Sequence, residues 1–180
     1  MLPTFITGNL NKVAYLNRTL QLDLPHHPLD LDEIQSTNPR EVVQHKVLQA
    51  YAVLGQPVLV EDTSLFYTAT PGLPGPFVKF FIETGLDTMC RLLDSFEDRS
   101  AVATATYGYH DGVTTRFFAG YLPGQIVKQP RGAGGYGWDS IFAPQGYNGL
   151  TRAELDEEGD LRTYSMMRDT TALREFLLNN

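Results

Sequence analysis

Two adjacent acids, Glu61 and Asp62, follow a short apolar run at residues 58–60 in the middle of the chain. The valines of this run favour a buried strand, so the two carboxylates are predicted to lie where that strand ends. Carboxylates are costly to bury unless a cation neutralises them. A proline- and glycine-rich loop then leads to a short predicted helix that carries Lys79. Residues 57–81 thus fit one half of a metal-assisted phosphate site, and they fit equally well a plain strand whose Asp62 caps a turn.

A second candidate anion site lies near the N-terminus. A predicted strand over residues 4–7 is followed by Gly8 and by Asn9, which is a good N-cap for a helix with regularly spaced apolar residues. Gly8 allows close approach to the backbone, and the free amides of a helix N-terminus favour an anion. Lys12 adds a full charge. A plain strand-to-helix turn with a solvated lysine explains this segment at least as well.

A further lysine lies on a helix whose start is well marked. Asn38 is typical of an N-cap, Pro39 of the first helical position, and Glu41 of the third. Lys46 lies one turn from two members of the apolar face, so its stem can follow that face while its ammonium reaches an interior site. An exposed lysine is the more common outcome at such a position.

Other elements follow from periodicity and turn chemistry. The Asp-Gly pair at residues 111–112 predicts a hairpin. The glycine-rich residues 130–137 predict a loop, in which Tyr136 and the following Trp138 form either an aromatic wall or a tight turn before a core strand. The remaining expectations are a strand over 26–31, a helix over 86–96, strands over 101–109 and 113–122, and a last helix capped by Asp169 or Thr170.

Composition narrows the class of protein. The chain has 180 residues, 42% of them apolar and 19% charged, which predicts one soluble domain or two lobes that share a core. The net charge of −7 argues against non-specific binding to nucleic acid or to membranes. No apolar run approaches the roughly 20 residues of a membrane span. A single cysteine, Cys90, and the lack of a secretory signal indicate a cytoplasmic protein. The four histidines show no zinc-ligand spacing.

Four segments occur in an order that identifies a family. They are Thr7-Gly8-Asn9-x-x-Lys12, Val58-Leu59-Val60-Glu61-Asp62-Thr63, Gly72-Leu73-Pro74-Gly75-Pro76 with Lys79, and Tyr136-Gly137-Trp138-Asp139. Together they make the chain resemble the inosine triphosphate pyrophosphatase family, the Ham1-like hydrolases, over almost its whole length. The resemblance implies a single α/β domain over residues 1–180, elongated and two-lobed. It also implies a long, mixed, twisted sheet, flanking helices, a central cleft and a homodimer.

The resemblance also implies a reaction. Family members hydrolyse nucleoside triphosphates between the α and β phosphorus atoms and require magnesium. The products are the monophosphate and pyrophosphate, and the substrates are deaminated purine nucleotides such as ITP, dITP and XTP.

Carried over position by position, the resemblance assigns roles to residues of this chain. Glu33 and Asp62 correspond to magnesium ligands, with Asp62 also the candidate base for the attacking water and Glu61 its acidic neighbour. The segment from Thr7 to Lys12 corresponds to the triphosphate cradle. The remaining contacts are Lys46, Thr63 and Lys79 to the phosphates, and Tyr136, Gly137, Trp138 and Asp139 around the base.

The C-terminal part departs from the family pattern of a lysine followed by Ser-His-Arg. Gap-free spacing puts Arg162 at the lysine, Met166 and Met167 at the serine and histidine, and Arg168 at the arginine. Arginine and lysine are not equivalent, so contacts to phosphate or base are expected to shift. Two alternatives remain: a Maf-like nucleotide pyrophosphatase with another base preference, and a nucleotide-binding protein without catalysis.

Overall fold

The structure, a computed structural model, describes residues 2–179 and centres on one mixed sheet. The strands are β1 (Thr4–Ile6), β2 (His26–His27), β3 (Val58–Tyr67), β4 (Pro74–Gly75), β5 (Ser100–His110), β6 (Thr115–Ile126) and β7 (Phe142–Pro144). The helices are α1 (Leu10–Leu20), α2 (Pro39–Leu54), α3 (Val78–Glu83), α4 (Leu86–Arg91), α5 (Glu157–Met166) and α6 (Thr170–Asn179). Two 3₁₀ turns cover Asp139–Ile141 and Arg152–Glu154.

The strand order is β2-β1-β3-β5-β6-β7, with β4 paired beside the far end of β3. β1 runs parallel to β2 and β3, and the other pairs are antiparallel. Short parallel strands beside a long antiparallel hairpin make the sheet mixed. The predicted α/β class with a mixed sheet and flanking helices is therefore confirmed.

One edge of β3 is open in its middle. β1 pairs with β3 only at Val58 and Leu59, and β4 pairs with it only at Leu65 and Phe66. Between these points, at residues 60–64, no other described strand pairs with this edge, whereas β5 pairs with the opposite edge along all of β3. The open stretch therefore leaves space beside the sheet without interrupting the strand.

The prediction that the acid pair ends a strand is wrong. Glu61 and Asp62 lie inside β3, opposite Tyr107 and Thr106 of β5, and the strand continues to Tyr67. The long pairing with β5 keeps this backbone extended although its side chains are acidic. Because side chains alternate along a strand, the two carboxylates point to opposite faces of the sheet.

Hydrophobic clusters cover both faces. Leu59 packs with leucines of α1 and α6 on the face shared with Glu61. Val58 and Val60 pack against valines of α2 on the face shared with Asp62. A third cluster joins the far ends of β3, β5 and β6 to α3 and α4. Helices α1 and α6 therefore pack on the face shared with Glu61, and α2 packs on the face shared with Asp62.

Local signals placed most element starts correctly. Asn9 accepts hydrogen bonds from the backbone N–H groups of Asn11 and Lys12, and Asn38 accepts one from that of Arg40. In the β5–β6 turn, Asp111 accepts from the next backbone amides. The Asp169 carboxylate accepts from the N–H of Ala172 at 3.4 Å, so Asp169 caps the last helix.

Several elements differ from the prediction in their extent, and one was not predicted. β2 stops at His27 because its partner β1 is only three residues long. α4 ends at Arg91, and residues 92–95 continue as turns in which i to i−3 hydrogen bonds take over. α5 is a helix that sequence periodicity did not indicate. No helix in the described chain combines the length and apolar character that a membrane crossing needs.

Candidate active site

A cleft of about 700 Å³ opens beside the unpaired edge of β3. Every candidate catalytic, metal-binding or substrate-binding residue from the sequence lines this cleft, apart from Arg162. The group comprises Thr7, Gly8, Asn9, Lys12, Glu33, Lys46, Glu61, Asp62, Thr63, Lys79, Tyr136, Gly137, Trp138, Asp139 and Arg168. These residues come from seven separate segments, which only the folded chain brings together.

On the α2 face, one lysine serves two acids. Lys46 Nζ lies 2.9 Å from Glu33 Oε1 and 3.4 Å from Asp62 Oδ1. Burial raises the pKa of Asp62, and the nearby charge of Glu33 adds to this, while Lys46 only partly opposes them. The more exposed Glu33 is also penalised by burial, but its hydrogen bond and charge interaction with Lys46 prevail and lower its pKa. Asp62 is thus the stronger proton acceptor of the two.

On the opposite face, two cations serve one acid. Glu61 Oε1 lies 3.1 Å from Lys12 Nζ and 3.4 Å from Arg168 Nη2, and it accepts a hydrogen bond from Thr63. Burial by itself raises the pKa of Glu61. The charges of Lys12 and Arg168, with a contribution from the Tyr107 hydroxyl, outweigh burial and hold that pKa well below its ordinary value. Glu61 is therefore ionised at neutral pH and anchors Lys12 and Arg168.

The closed end of the cleft combines aromatic and cationic groups. Arg168 stacks on Tyr164, with its guanidinium carbon 3.7 Å from the ring centroid. The Tyr136 hydroxyl lies 3.5 Å from Arg168 Nη2. Trp138 and Met167 are buried in the adjacent core cluster and also line the cleft. This end can hold a flat, partly apolar group with polar atoms on its rim.

Asp139 holds the glycine-rich loop in place. Its Oδ2 accepts from the Tyr136 backbone N–H at 3.0 Å, and its Oδ1 accepts from Arg152 at 2.9 Å. Gly135 has a φ of +71°, and a Cβ there would lie 2.4 Å from Asp139 Oδ2. A glycine is thus needed for the loop to close over this carboxylate and to orient Tyr136.

The structure puts Arg162 away from the cleft and Arg152 at it. Arg162 is exposed on α5 and pairs with Glu158 one turn earlier. Arg152 is buried, lines the cleft and also binds Asp160 and Thr163. Spacing counted back from Arg168 could not reveal this.

A signal for the position of Arg152 was nonetheless available in the sequence. Thr151 and Glu154 form a capping box around the 3₁₀ turn that carries Arg152. Such a box marks a fixed turn in which the enclosed side chain can be held in one direction.

The donor set on the α2 face fits magnesium. Glu33 and Asp62 both contact Lys46, so their carboxylates lie close together. Asp62 Oδ2 is buried and has no hydrogen-bond partner among residues 2–179. Magnesium takes one or two carboxylates, several waters and substrate phosphate oxygens. A dedicated protein cage is not required, and no cluster of three or more His, Cys, Asp or Glu ligands occurs in the described part of the chain.

Sequence comparison decides the family. The Ham1 family model matches residues 3–175. The chain belongs to the Ham1 family. It is 40% identical to the inosine triphosphate pyrophosphatase of Scheffersomyces stipitis, over 98% of this chain and 97% of that protein. It is 39% identical to the enzyme of the same name from Schizosaccharomyces pombe, over 96% and 93%.

Solved structures agree with the Ham1 fold. A HAM1 protein from Coxiella burnetii superposes with a TM-score of 0.85 and covers 100% of both chains at 23% identity. The Ham1 protein of Staphylococcus aureus gives a TM-score of 0.81 at 22% identity, over 98% of each chain. The resemblance drawn from four short motifs is confirmed.

Proposed function

We propose that this Ham1 protein hydrolyses nucleoside and deoxynucleoside triphosphates to the monophosphate and pyrophosphate. Its substrates are non-canonical purine nucleotides, ITP, dITP and XTP, and its role is to clear them from the nucleotide pool. The observation that carries the proposal is one cleft in which a carboxylate of raised pKa, Asp62, lies beside several lysines. Relatives about 40% identical over nearly the whole chain are named inosine triphosphate pyrophosphatases, which supports the same activity.

The triphosphate lies at the open end of the cleft. The N-terminus of α1, capped by Asn9, places the positive end of the helix at this space, and Gly8 lets phosphate oxygens approach the backbone. Lys12, Lys46 and Lys79 line the same space and offset the negative charge of the phosphates. The same lysines stabilise the charge that moves onto pyrophosphate as it leaves.

Asp62 is the general base. It takes a proton from the water that attacks the α phosphorus, and Lys46 at 3.4 Å holds its carboxylate in position. Glu33 and Asp62 would hold Mg²⁺, which lowers the pKa of a bound water and screens the phosphates from the acid when it is present. The chain's own contribution is positioning and charge, as in other phosphoryl transfers.

The base occupies the closed end. Tyr136 offers a ring, and Met167 a polarisable thioether that packs against a base but donates no hydrogen bond. Arg168 is available to donate to a keto oxygen. Asp139 is occupied by Tyr136 and Arg152, so it acts by holding the loop rather than by reading the base.

One assay separates the candidate activities. Pyrophosphate release is measured from ITP, dITP, XTP, GTP, ATP and pyrimidine triphosphates, with magnesium and with excess chelator. Magnesium-dependent release that favours ITP and XTP supports the proposal, and a preference for another base supports a Maf-like enzyme. Nucleotide binding without any release would mean that catalysis is lost.

The family resemblance also carries a proposal for the state of the protein. It is a homodimer in the cytoplasm, where its one cysteine, the buried Cys90, stays reduced. Light scattering of the purified chain tests the dimer: a mass of about one chain, 20.1 kDa, would refute it.

A further inference from the structure

Arg152 is buried beside the glycine-rich loop, and each of its three guanidinium nitrogens has a protein partner. Nη1 donates to Asp139 Oδ1 at 2.9 Å, Nε donates to Thr163 Oγ1 at 3.1 Å, and Nη2 donates to Asp160 Oδ1. The side chain is 3% exposed, although Arg152 lines the cleft. The planar fork of an arginine holds several partners in one geometry. Arg152 is therefore placed to position other side chains, since its own donors are already engaged.

The glycine-rich loop is fixed at two places, and both depend on the turn that carries Arg152. In the middle of the loop, the Gly134 N–H donates to the backbone oxygen of Ala153 at 3.1 Å. Near its end, the Tyr136 N–H donates to Asp139 Oδ2 at 3.0 Å. Burial raises the pKa of Asp139, and the charge of Arg152 opposes this shift. Arg152 thus favours the carboxylate form of Asp139, which accepts the hydrogen bond that places the Tyr136 ring.

Arg152 is itself held by a carboxylate that is tied to α1. Asp160 Oδ1 pairs with Arg152, and Asp160 Oδ2 accepts from the Tyr15 hydroxyl at 2.6 Å. Tyr15 lies on α1, which Leu16 and Leu20 fix in the core. Connected polar groups that satisfy one another in this way hold a single arrangement. The core helix therefore supports Arg152, and Arg152 supports the loop.

Given the proposed nucleotide substrate, we propose that Arg152 is a positioning residue for the base end of the nucleotide and that Asp160 orients it. Arg152 holds Asp139, Asp139 places Tyr136, and the Tyr136 ring lies at the closed end of the cleft, where the base is placed. At the phosphate end, Lys46 forms its ion pairs with other acids. Loss of Arg152 should therefore weaken binding of the base and spare binding of the phosphates.

The two products of the proposed reaction probe the two ends separately, because IMP carries the base and pyrophosphate does not. Both are measured as inhibitors of ITP hydrolysis at a fixed concentration of free magnesium. In Arg152→Gln the inhibition constant of IMP should rise about 10-fold or more, as for a lost hydrogen bond to a charged group, while that of pyrophosphate stays within about twofold. KM for ITP should rise by more than kcat falls. Trp138, the only tryptophan of the chain, is buried, lines the cleft and precedes Asp139, so its fluorescence measures IMP binding without turnover.

The matched control is Arg18→Gln. Arg18 of α1 pairs with Glu157 of α5 at 2.7 Å, so this variant removes an ion pair between the same two helices, but at the exposed surface. It should leave both inhibition constants unchanged. Arg152→Lys keeps the charge without the planar fork and should restore part of the affinity for IMP. Circular dichroism verifies folding. If Arg152→Gln is unfolded, the isosteric Asp160→Asn carries the test, and it should raise the IMP constant alone by about threefold or more.

Three results would overturn the assignment. Equal rises of the two inhibition constants mean that Arg152 only supports the fold. An unchanged IMP constant means that the loop is held without Arg152, and a rise for pyrophosphate alone places the effect of Arg152 at the phosphate end. In each of these cases the wild type still hydrolyses ITP, so the proposed function stands. A wild type that releases no pyrophosphate from ITP instead refutes the proposed function itself.

Discussion

The two neighbouring acids of β3 lie in opposite environments. Glu61 points to the face covered by α1 and α6 and meets two cations, Lys12 and Arg168, which hold its pKa low. Asp62 points to the α2 face and shares one cation, Lys46, with a second acid, so burial raises its pKa. The number of cations that reach a carboxylate, rather than its place in the sequence, separates an anchor from a base.

The largest effect on activity is expected when the proposed general base, Asp62, is removed. Asp62→Asn keeps the shape of the side chain but removes its charge and its ability to take a proton. A lost general base costs about 10²- to 10⁴-fold in kcat. Steady-state pyrophosphate release measures this, with Asp32→Asn as control, because Asp32 binds Gln49 outside the cleft. Retention of more than about a tenth of the wild-type kcat would show that Asp62 is not the base.

The two acids should also differ in their effect on stability. Glu61→Gln leaves Arg168 buried without its charge partner and should cost about 3–5 kcal/mol of unfolding free energy at pH 7. Asp62→Asn removes a buried charge whose ionisation is disfavoured, and should raise stability. Urea unfolding measures both variants, and equal effects of the same sign would contradict the assigned environments.

The stabilisation of the fold by Glu61 should depend on pH, because the pKa of this carboxyl is lowered. Its stabilisation is fully present above the ordinary value of 4.5 and is lost as the pH falls toward the lower folded pKa. The gap in stability between the wild type and Glu61→Gln should therefore narrow below pH 4.5. A gap that stays constant down to acid unfolding would show that the charge of Glu61 is not what stabilises the fold.

Lys12, the lysine that contacts Glu61, is expected to affect substrate binding more than turnover. Lys12→Ala removes a contact to the phosphates that is made largely alike in the ground and transition states, so KM should rise by more than kcat falls. The loss of a hydrogen bond to a charged group predicts about a 10- to 150-fold rise in KM. Lys128→Ala is the control, because that lysine is exposed and lies outside the cleft. An unchanged kcat/KM in Lys12→Ala would show that Lys12 makes no contact with the phosphates.

The smallest effect is expected at Met167, which lines the closed end of the cleft. A thioether donates no hydrogen bond, so Met167→His should sharpen the preference for ITP and XTP over ATP by about 2- to 12-fold in relative kcat/KM. Met166→His is the control, since Met166 is exposed. If Met166→His changes the preference and Met167→His does not, the gap-free placement of the family's Ser-His-Arg on this chain is shifted by one residue.

Local chemistry explains why much of the molecule was predictable. Asn9 and Asn38 mark helix starts because their side chains accept from backbone amides nearby in sequence. The Asp-Gly pair gives the β5–β6 hairpin for a similar reason. The extents of β2 and α4 were less predictable, since a short partner strand and tight turns decided them.

The sequence by itself determined the family, the α/β class and most of the residues that line the cleft, because short ordered motifs carry that information. Only the tertiary structure decided that Glu61 and Asp62 lie within a strand and face opposite ways, since β5 extends the pairing past them. It also decided that Arg152 rather than Arg162 reaches the cleft. Contacts between residues distant in sequence settle such questions, because they depend on how strands and helices pack rather than on local spacing.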